Sequence, residues 1–361
     1  MAAWETWSRE RVKAQLTRTP IAVLKGGRSD ERGVSLTSGG AVVAALRDLT
    51  GPSFEVAPPI FEVEIDPSGQ WVLDGAALEP LQAIGSLPEE ALFLLALHGG
   101  EGEDGTVQGF LEAAQRRYTG AGPECSALCM DKHRSREAAA AAGVKVAEGA
   151  LVTRDAFLED RAAALARAHA VAGPVRFVKH TSAGSSFGVH RCADDAAVAA
   201  ACEDVVASGA DVLVEAEVRG LETTVGVMGD GLDALALPVA EVVPGEGGLF
   251  FDHEQKYSDA HGAQEFCPPR YLPAELTARL QARALEAWES FGGTRYARID
   301  FIVPAERQAD GSFHFEQDVD PVLLEANTLP GFTPRSLLPL AAAADGVGFR
   351  ELCLELVARS L

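Results

Sequence analysis

The sequence predicts an α/β protein that opens with a mostly parallel, open sheet and continues into further mixed units. Three observations carry this. Short apolar runs of strand length alternate with helix-period segments. At 361 residues the chain exceeds what one core usually organises, so two or three domains are expected. A content of 47% hydrophobic and 23% charged residues leaves apolar surface for several cores and excludes a disordered chain.

A polar arm spans 1–19. Residues 21–24, Ile-Ala-Val-Leu, read as a buried strand running into Gly26-Gly27, and 35–49 as a helix. A second buried strand, 91–98, leads through a glycine-rich loop to a helix at 107–117, and the first unit closes near Gly120. Ligand groups are expected at the carboxyl ends of these strands. The alanine-rich stretch 126–142 is helical by propensity. A strand at 175–178, a loop at 179–188, a returning strand at 189–191 and a helix at 193–208 follow, then strands at 212–214, 223–228 and 234–243. The polar stretch 244–265 has no period, and a loop that long is usually functional. A helix at 274–291, strands at 298–303 and 322–325 joined by a polar insertion, and two helices complete the chain, without internal repeats.

Composition narrows the function. Acidic residues outnumber basic ones 53 to 31, giving a formal charge of −22, so nucleic acid and anionic membranes are not expected as partners. None of the six cysteines forms a C-x-x-C pair, and free buried thiols are expected. The start is polar rather than signal-like, and the longest apolar run, 91–97, is far short of the ~20 residues a membrane helix needs. The expectation is a cytoplasmic protein. Only six residues are lysine, so a lysine here is a candidate for a compact ammonium role.

The chemistry concentrates in two strings. In Arg298-Ile-Asp300 and Glu325-Ala-Asn327 each pair alternates along a strand and shares a face. If the strands are neighbours, Asp300, Glu325 and Asn327 converge as hard oxygen donors suited to Mg²⁺ held with phosphates. Arg298 beside them is either an ion-pair partner or an oxyanion stabiliser. In the second string, Lys179 at a strand end precedes a Gly/Ser loop able to cradle phosphates, without P-loop spacing. Two rival motifs are disfavoured. Residues 184–188 fit G-x-S-x-G, but a strand rather than a helix follows Gly188. Residues 100–105 fit G-x-G-x-x-G, yet Glu101, Glu103 and Asp104 would repel a pyrophosphate. Glu215 and Glu222 flank a turn and can hold a ribose, an adenine amine or nothing, and Lys256-Tyr257 lie in the long loop.

From about residue 21 to the end, the chain resembles the D-alanine–D-alanine ligases, which have the ATP-grasp fold. Eight strings match in order: GGRSDERGVSLTSG (26–39), HGGEGEDGTVQG (98–109), MDKHRSR (130–136), GSSFG (184–188), VLVE (212–215), EQKYSD (254–259), RID (298–300) and LLEANTLPGFTPRSLLP (323–339). The resemblance implies a substrate-binding α/β domain at 20–120, a central ATP-grasp domain at 121–213 and a catalytic ATP-grasp domain at 214–361. It implies that ATP phosphorylates one D-alanine carboxylate and that the amine of a second D-alanine captures the acyl phosphate, for peptidoglycan precursor synthesis.

Carried over by motif, Lys132, Lys179 and Lys256 would contact ATP phosphates. Glu215 and Glu222 would hold adenine and ribose with backbone groups near Ala216 and Val218. Asp300, Glu325 and Asn327 would ligate two Mg²⁺, or Mn²⁺. Arg298 and the Gly331 N–H would stabilise the oxyanion. Glu31 would bind the first substrate's ammonium near His98, and Ser336 and Leu337 the second substrate's carboxylate. Glu31, Ser185 and Tyr257 would form a latch, with tyrosine at 257 favouring an amine acceptor. A homodimer is also implied. Four features depart from the family pattern: His180 in place of proline, Ala183 in place of glutamate, the long connection 304–321, and the N-terminal arm. They leave open a ligase for other amino acids, and, in another class, a non-catalytic Mg-nucleotide sensor.

Overall fold

The computed structural model describes residues 18–48, 58–182, 188–243 and 264–361. The first unit is built on β1 (Ile21–Gly26), followed by α1 (Arg32–Arg47), β2 (Ile60–Ile65), β3 (Trp71–Leu73), β4 (Ala76–Leu78), α2 (Pro80–Gly85), β5 (Leu92–Leu95) and α3 (Thr106–Ala113). Its sheet order is β4-β3-β2-β1-β5, with β1 parallel to β2 and β5. Ile21 to Leu24 are fully buried between these neighbours, which is why the run is apolar throughout. The parallel expectation holds only for this centre, because β3 and β4 run antiparallel at one edge. β2 escapes a reading based on apolar runs because Glu62 and Glu64 interrupt it. Those acids face Lys25 at 2.7 Å and Arg32 at 2.5 Å.

The expected helix at 126–142 is two helices, α4 (Pro123–Met130) and α5 (Lys132–Ala141). Asp131 breaks them with extended backbone, and its carboxylate accepts from the N–H groups of His133 and Arg134, both at 3.0 Å. A central sheet follows in the order β6-β9-β7-β8, from β6 (Gly149–Val152), β7 (Arg176–His180), β8 (His190–Cys192) and β9 (Val212–Ala216). It is covered by α6 (Arg154–Glu159), α7 (Arg161–His169) and α8 (Asp195–Ala207). Because β8 directly follows Gly188, no helix supports a nucleophile elbow there.

The third sheet runs β13-β12-β10-β14-β17, all antiparallel, from β10 (Gly220–Met228), β11 (Leu235–Ala236), which pairs β10, β12 (Ala240–Val243), β13 (Gln264–Phe266), β14 (Tyr296–Pro304) and β17 (Val322–Asn327). The strand expected at 234–243 is split by Pro238, which has no N–H for a ladder. Helix α9 (Ala274–Ser290) packs on this sheet, and β15 (Glu306–Arg307) with β16 (Phe313–His314) forms a small hairpin within the 304–321 connection. Helices α10 (Leu337–Ala344) and α11 (Phe349–Ala358) end the chain and share the first unit's core.

The central sheet continues through Ala216, so Glu215 lies within it. Cys125, Cys129, Ala139 and Val144 lie in the third sheet's core, not the central one. All six cysteines are free thiols. Among the described residues no helix is long and apolar enough to cross a membrane.

One buried carboxylate fixes the approach to α9. Glu241 is fully buried and accepts from the backbone N–H groups of Arg270 at 2.8 Å, Tyr271 at 2.7 Å and Leu272 at 2.7 Å. Glu241→Ala strands these buried donors, so a loss of about 3 kcal/mol or more is expected. Urea unfolding at neutral pH measures it; a loss below about 0.5 kcal/mol would show that water replaces the carboxylate.

Candidate active site

A cleft of about 1260 Å³ lies between the central and third sheets and is closed at one end by loops of the first unit. Its floor is set by strand register. In the β14–β17 pairing Arg298 stands opposite Asn327 and Asp300 opposite Glu325, so all four share a face, as the alternation requires. The register shifts between Asp300 and Phe301, making Leu324 an extra residue that also lines the cleft. β10 adds Thr224 opposite Asp300 and Glu222 opposite Ile302.

Charges in this cleft are paired. The Arg298 guanidinium donates to Asp300 through Nε at 2.9 Å and Nη2 at 2.8 Å, and the Thr224 hydroxyl donates to the same carboxylate at 2.6 Å. Lys132, the first residue of α5, places its ammonium 3.2 Å from Glu325, and its N–H donates to the Thr181 carbonyl at 2.7 Å. Lys179 on β7 pairs with Glu215 on β9, whose other oxygen lies 3.0 Å from Nε of Arg136. Glu215 is only 5% exposed. Burial alone would raise its pKa, but Lys179, Arg136 and Lys132 outweigh burial and hold it below the usual carboxylate value. At Glu265, burial raises the carboxyl pKa against the pull of Arg298.

At the end near the first unit, Glu31 immediately precedes α1 without a side-chain capping bond, and His98 follows β5. The buried His98 ring has Nε2 3.0 Å from the Ser38 hydroxyl and Nδ1 3.6 Å from Glu103. The Phe332 N–H donates to that same hydroxyl at 3.2 Å, tying the first unit to the segment after β17. The Ser336 hydroxyl accepts from the Thr333 N–H at 3.0 Å, and Ser336 immediately precedes α10, so unpaired helix N–H groups begin at Leu337. A Cβ on Gly331 would sit 3.0 Å from that hydroxyl.

Glu31, His98, Lys132, Lys179, Glu215, Ala216, Val218, Glu222, Arg298, Asp300, Glu325, Asn327, Gly331, Ser336 and Leu337 all line this one cleft. Ser185, Lys256 and Tyr257 lie outside the described residues, as does Ala183. Sequence reasoning missed Arg136, Thr224, Ser38 and Glu103. Arg136, Ser38 and Glu103 stand inside matched strings; nothing in those strings reveals that Arg136 meets Glu215 and Ser38 meets His98 on other elements, while Glu103 meets His98 within its own string. His180 ends β7 at the cleft's edge, where burial lowers its pKa.

The donor set fits a hard divalent cation only in part. Two carboxylates and one amide form an incomplete oxygen shell that phosphates and water must finish. Among the described residues no group of three His, Cys, Asp or Glu is placed to hold a metal alone. The Asn327 amide oxygen also accepts from the Leu329 N–H at 3.0 Å, which orients it.

Residues 139–358 match the family model described as D-ala D-ala ligase C-terminus. The chain is 36% identical over 333 residues to a D-alanine–D-alanine ligase of Dechloromonas aromatica, covering 92% of this chain and 94% of that relative. Its fold is similar to the VanG D-Ala:D-Ser ligase of Enterococcus faecalis, with a TM-score of 0.74 and 27% identity over 95% of this chain and 100% of that one. It is also similar to a D-alanine–D-alanine ligase of Bacillus anthracis solved with ATP, with a TM-score of 0.69 and 27% identity over 95% and 97% of the two chains.

The depressed Glu215 pKa has a pH signature. As pH falls below the ordinary value of 4.5, the unfolded chain takes up a proton that the folded carboxylate refuses. The stability contributed by Glu215 is therefore present above that pH and lost as pH falls toward the lower folded value. Glu215→Gln should flatten this part of the acid limb. At pH 7 it should cost about 3–5 kcal/mol, because Lys179 loses its buried counter-charge. Urea unfolding from pH 7 to 3 reads both effects; parallel acid limbs for parent and variant would refute the assignment.

Proposed function

The chain belongs to the D-alanine–D-alanine ligase family, and from that premise we propose how its cleft joins two D-alanines with ATP, in peptidoglycan precursor synthesis. The observation that carries the reading is the register of Arg298–Asp300 against Asn327–Glu325, with the Lys132 ammonium 3.2 Å from Glu325 and Lys179 lining the same cleft.

A free carboxylate is a poor acylating agent. The first D-alanine, with its ammonium at Glu31 near His98, presents its carboxylate oxygen to the γ-phosphorus of ATP. A P–O bond forms, the bond to the β-phosphate bridge breaks, and ADP leaves. The amine of the second D-alanine then attacks the acyl phosphate carbonyl. The tetrahedral oxyanion collapses, inorganic phosphate departs and the amine proton is released. Lys132 and Lys179 neutralise the phosphoryl oxygens, and Lys256 is assigned the γ-phosphate by the family motif. Glu222 and backbone groups of Ala216 and Val218 take ribose and base, with Glu215 behind them. Arg298 and the Gly331 N–H face the oxyanion, and Ser336 with the Leu337 N–H takes the acceptor carboxylate. The family motif assigns Glu31, Ser185 and Tyr257 to a latch. Asp300, Glu325 and Asn327 would hold Mg²⁺, or Mn²⁺; when bound, the ions neutralise phosphate charge. Holding acyl phosphate and amine together can lower the barrier by roughly 7–11 kcal/mol. The homodimer and the cytoplasmic location implied by the resemblance belong to this same proposal.

The test is phosphate release with ATP, Mg²⁺ and D-alanine, with the dipeptide identified by mass. D-alanine should be ligated; turnover only with other amino acids would replace this acceptor assignment. Arg298→Ala should lower kcat at least ~10²-fold, as removal of an oxyanion donor does. Unchanged phosphate release in that variant would sink the role given to Arg298.

A further inference from the structure

The connection 304–321 is where this chain departs most from the family's short turn, and the fold gives it a definite position. Along β14, Arg298, Asp300, Ile302 and Pro304 alternate onto the cleft face. At ~3.3 Å per residue, Pro304 lies ~20 Å beyond Arg298. Glu103, Gly331 and Ser336 cluster at the Arg298 end. Gly220 stands opposite Pro304, so residues 217–220 between the sheets mark the other end. Apolar Phe177, Ile302 and Leu324 line the cleft on that side. A nucleotide with its terminal phosphate at Asp300 therefore lays its base toward Pro304.

The chain does not turn back at that point. It extends into the β15–β16 hairpin, pairing Glu306 with His314 and Arg307 with Phe313, and all four line the cleft. The hairpin is tied down on several sides. The Ala305 N–H donates to the Arg219 carbonyl at 3.3 Å. Phe313 meets Tyr271 edge-on with ring centres 5.5 Å apart. Arg279 donates to the Val319 carbonyl at 2.6 Å, and Arg283 pairs with Asp320 at 3.1 Å. Ordering an insertion costs backbone entropy, and so many fixed points at a cleft mouth oppose the reading of a merely tolerated loop.

We propose that the 305–316 hairpin is a nucleotide-contacting rim, which adds to ATP affinity through Arg307, Phe313 and His314 at the base and ribose end. This inference rests on the ligase reading. The guanidinium and imidazole can meet ribose hydroxyls or the base edge, and the Phe313 ring supplies an apolar face.

The experiment measures ATP binding by calorimetry on the full chain with Mg²⁺ and no D-alanine. In one variant residues 306–314 are replaced by Gly-Gly, which the closeness of the hairpin's ends permits; in the other, Arg307→Ala is combined with His314→Ala. Excision should raise the Kd for ATP about tenfold and the double substitution about threefold. The KM for D-alanine and kcat at saturating ATP should stay within about twofold, a split that a general loss of structure does not give. A folded excision variant whose Kd for ATP moves less than about twofold overturns the proposal. If excision prevents folding, the double variant decides by the same criterion. Absence of ATP binding in the parent chain would overturn the ligase reading and this inference with it, whereas parental binding with unmoved variants overturns this inference alone.

Discussion

The active cleft depends on opposite charges kept in register along its walls. Arg298 on Asp300, Lys132 on Glu325, and Lys179 on Glu215, which Arg136 also meets, line the central and third-sheet walls of the cleft. Buried charges of this kind are costly alone and tolerable only when paired. Arg298 with Asp300 and Lys179 with Glu215 follow strand ladders, whereas Lys132 and Arg136 reach their carboxylates from helix α5. A phosphate entering the cleft can exchange for a carboxylate as partner of a cation, with little rearrangement of the frame. That economy explains how a chain of formal charge −22 maintains a site for a polyanion. The local cations, not the net charge, set the field that the nucleotide meets.

The same constraint shapes the link between domains. Ser38 receives the Phe332 N–H and touches His98, whose other nitrogen faces Glu103. A single hydroxyl thus couples the first unit's substrate side to the segment that carries Gly331 and Ser336. Since α10 and α11 share the first unit's core, the segment that carries Gly331 and Ser336 is packed onto the first unit rather than hung from a linker. Shared packing of this kind supports the close placement that capture of an acyl phosphate requires.

How much of this was legible depended on whether the contact was local. Alternation placed Arg298 with Asp300 and Glu325 with Asn327, because residues two apart on a strand share a face whatever the tertiary fold. The buried strands at 21–24 and 91–98 were equally plain. Asp131 was not: inside an alanine-rich stretch its capping role outweighed helix propensity and set Lys132 at a helix start. The split at Pro238 follows from a missing N–H that the period alone conceals. Arg136 reads as part of a solvated helix face, yet the central sheet buries it on Glu215. Ser38 gains its meaning from contacts with His98 and Phe332, 60 and 294 residues away, for which the chain carries no local signal, whereas Glu103 meets His98 within the same short loop.

Glu215 shows why such distant contacts matter for the chemistry. Its carboxylate sits on β9, next to β7, and each of its oxygens already faces a cation. A residue in that position does two things at once. It pairs with Arg136 through one oxygen, and through the other it fixes the Lys179 ammonium on its long, flexible stem. Fixing the cation in advance removes an entropy loss that would otherwise fall on nucleotide binding. Arg136, itself buried and donating to the Ala147 carbonyl, keeps the carboxylate from following Lys179 outward. The central sheet therefore does more than cover one side of the nucleotide: it presents a lysine whose direction is set by two further side chains, neither of which needs to touch a phosphate.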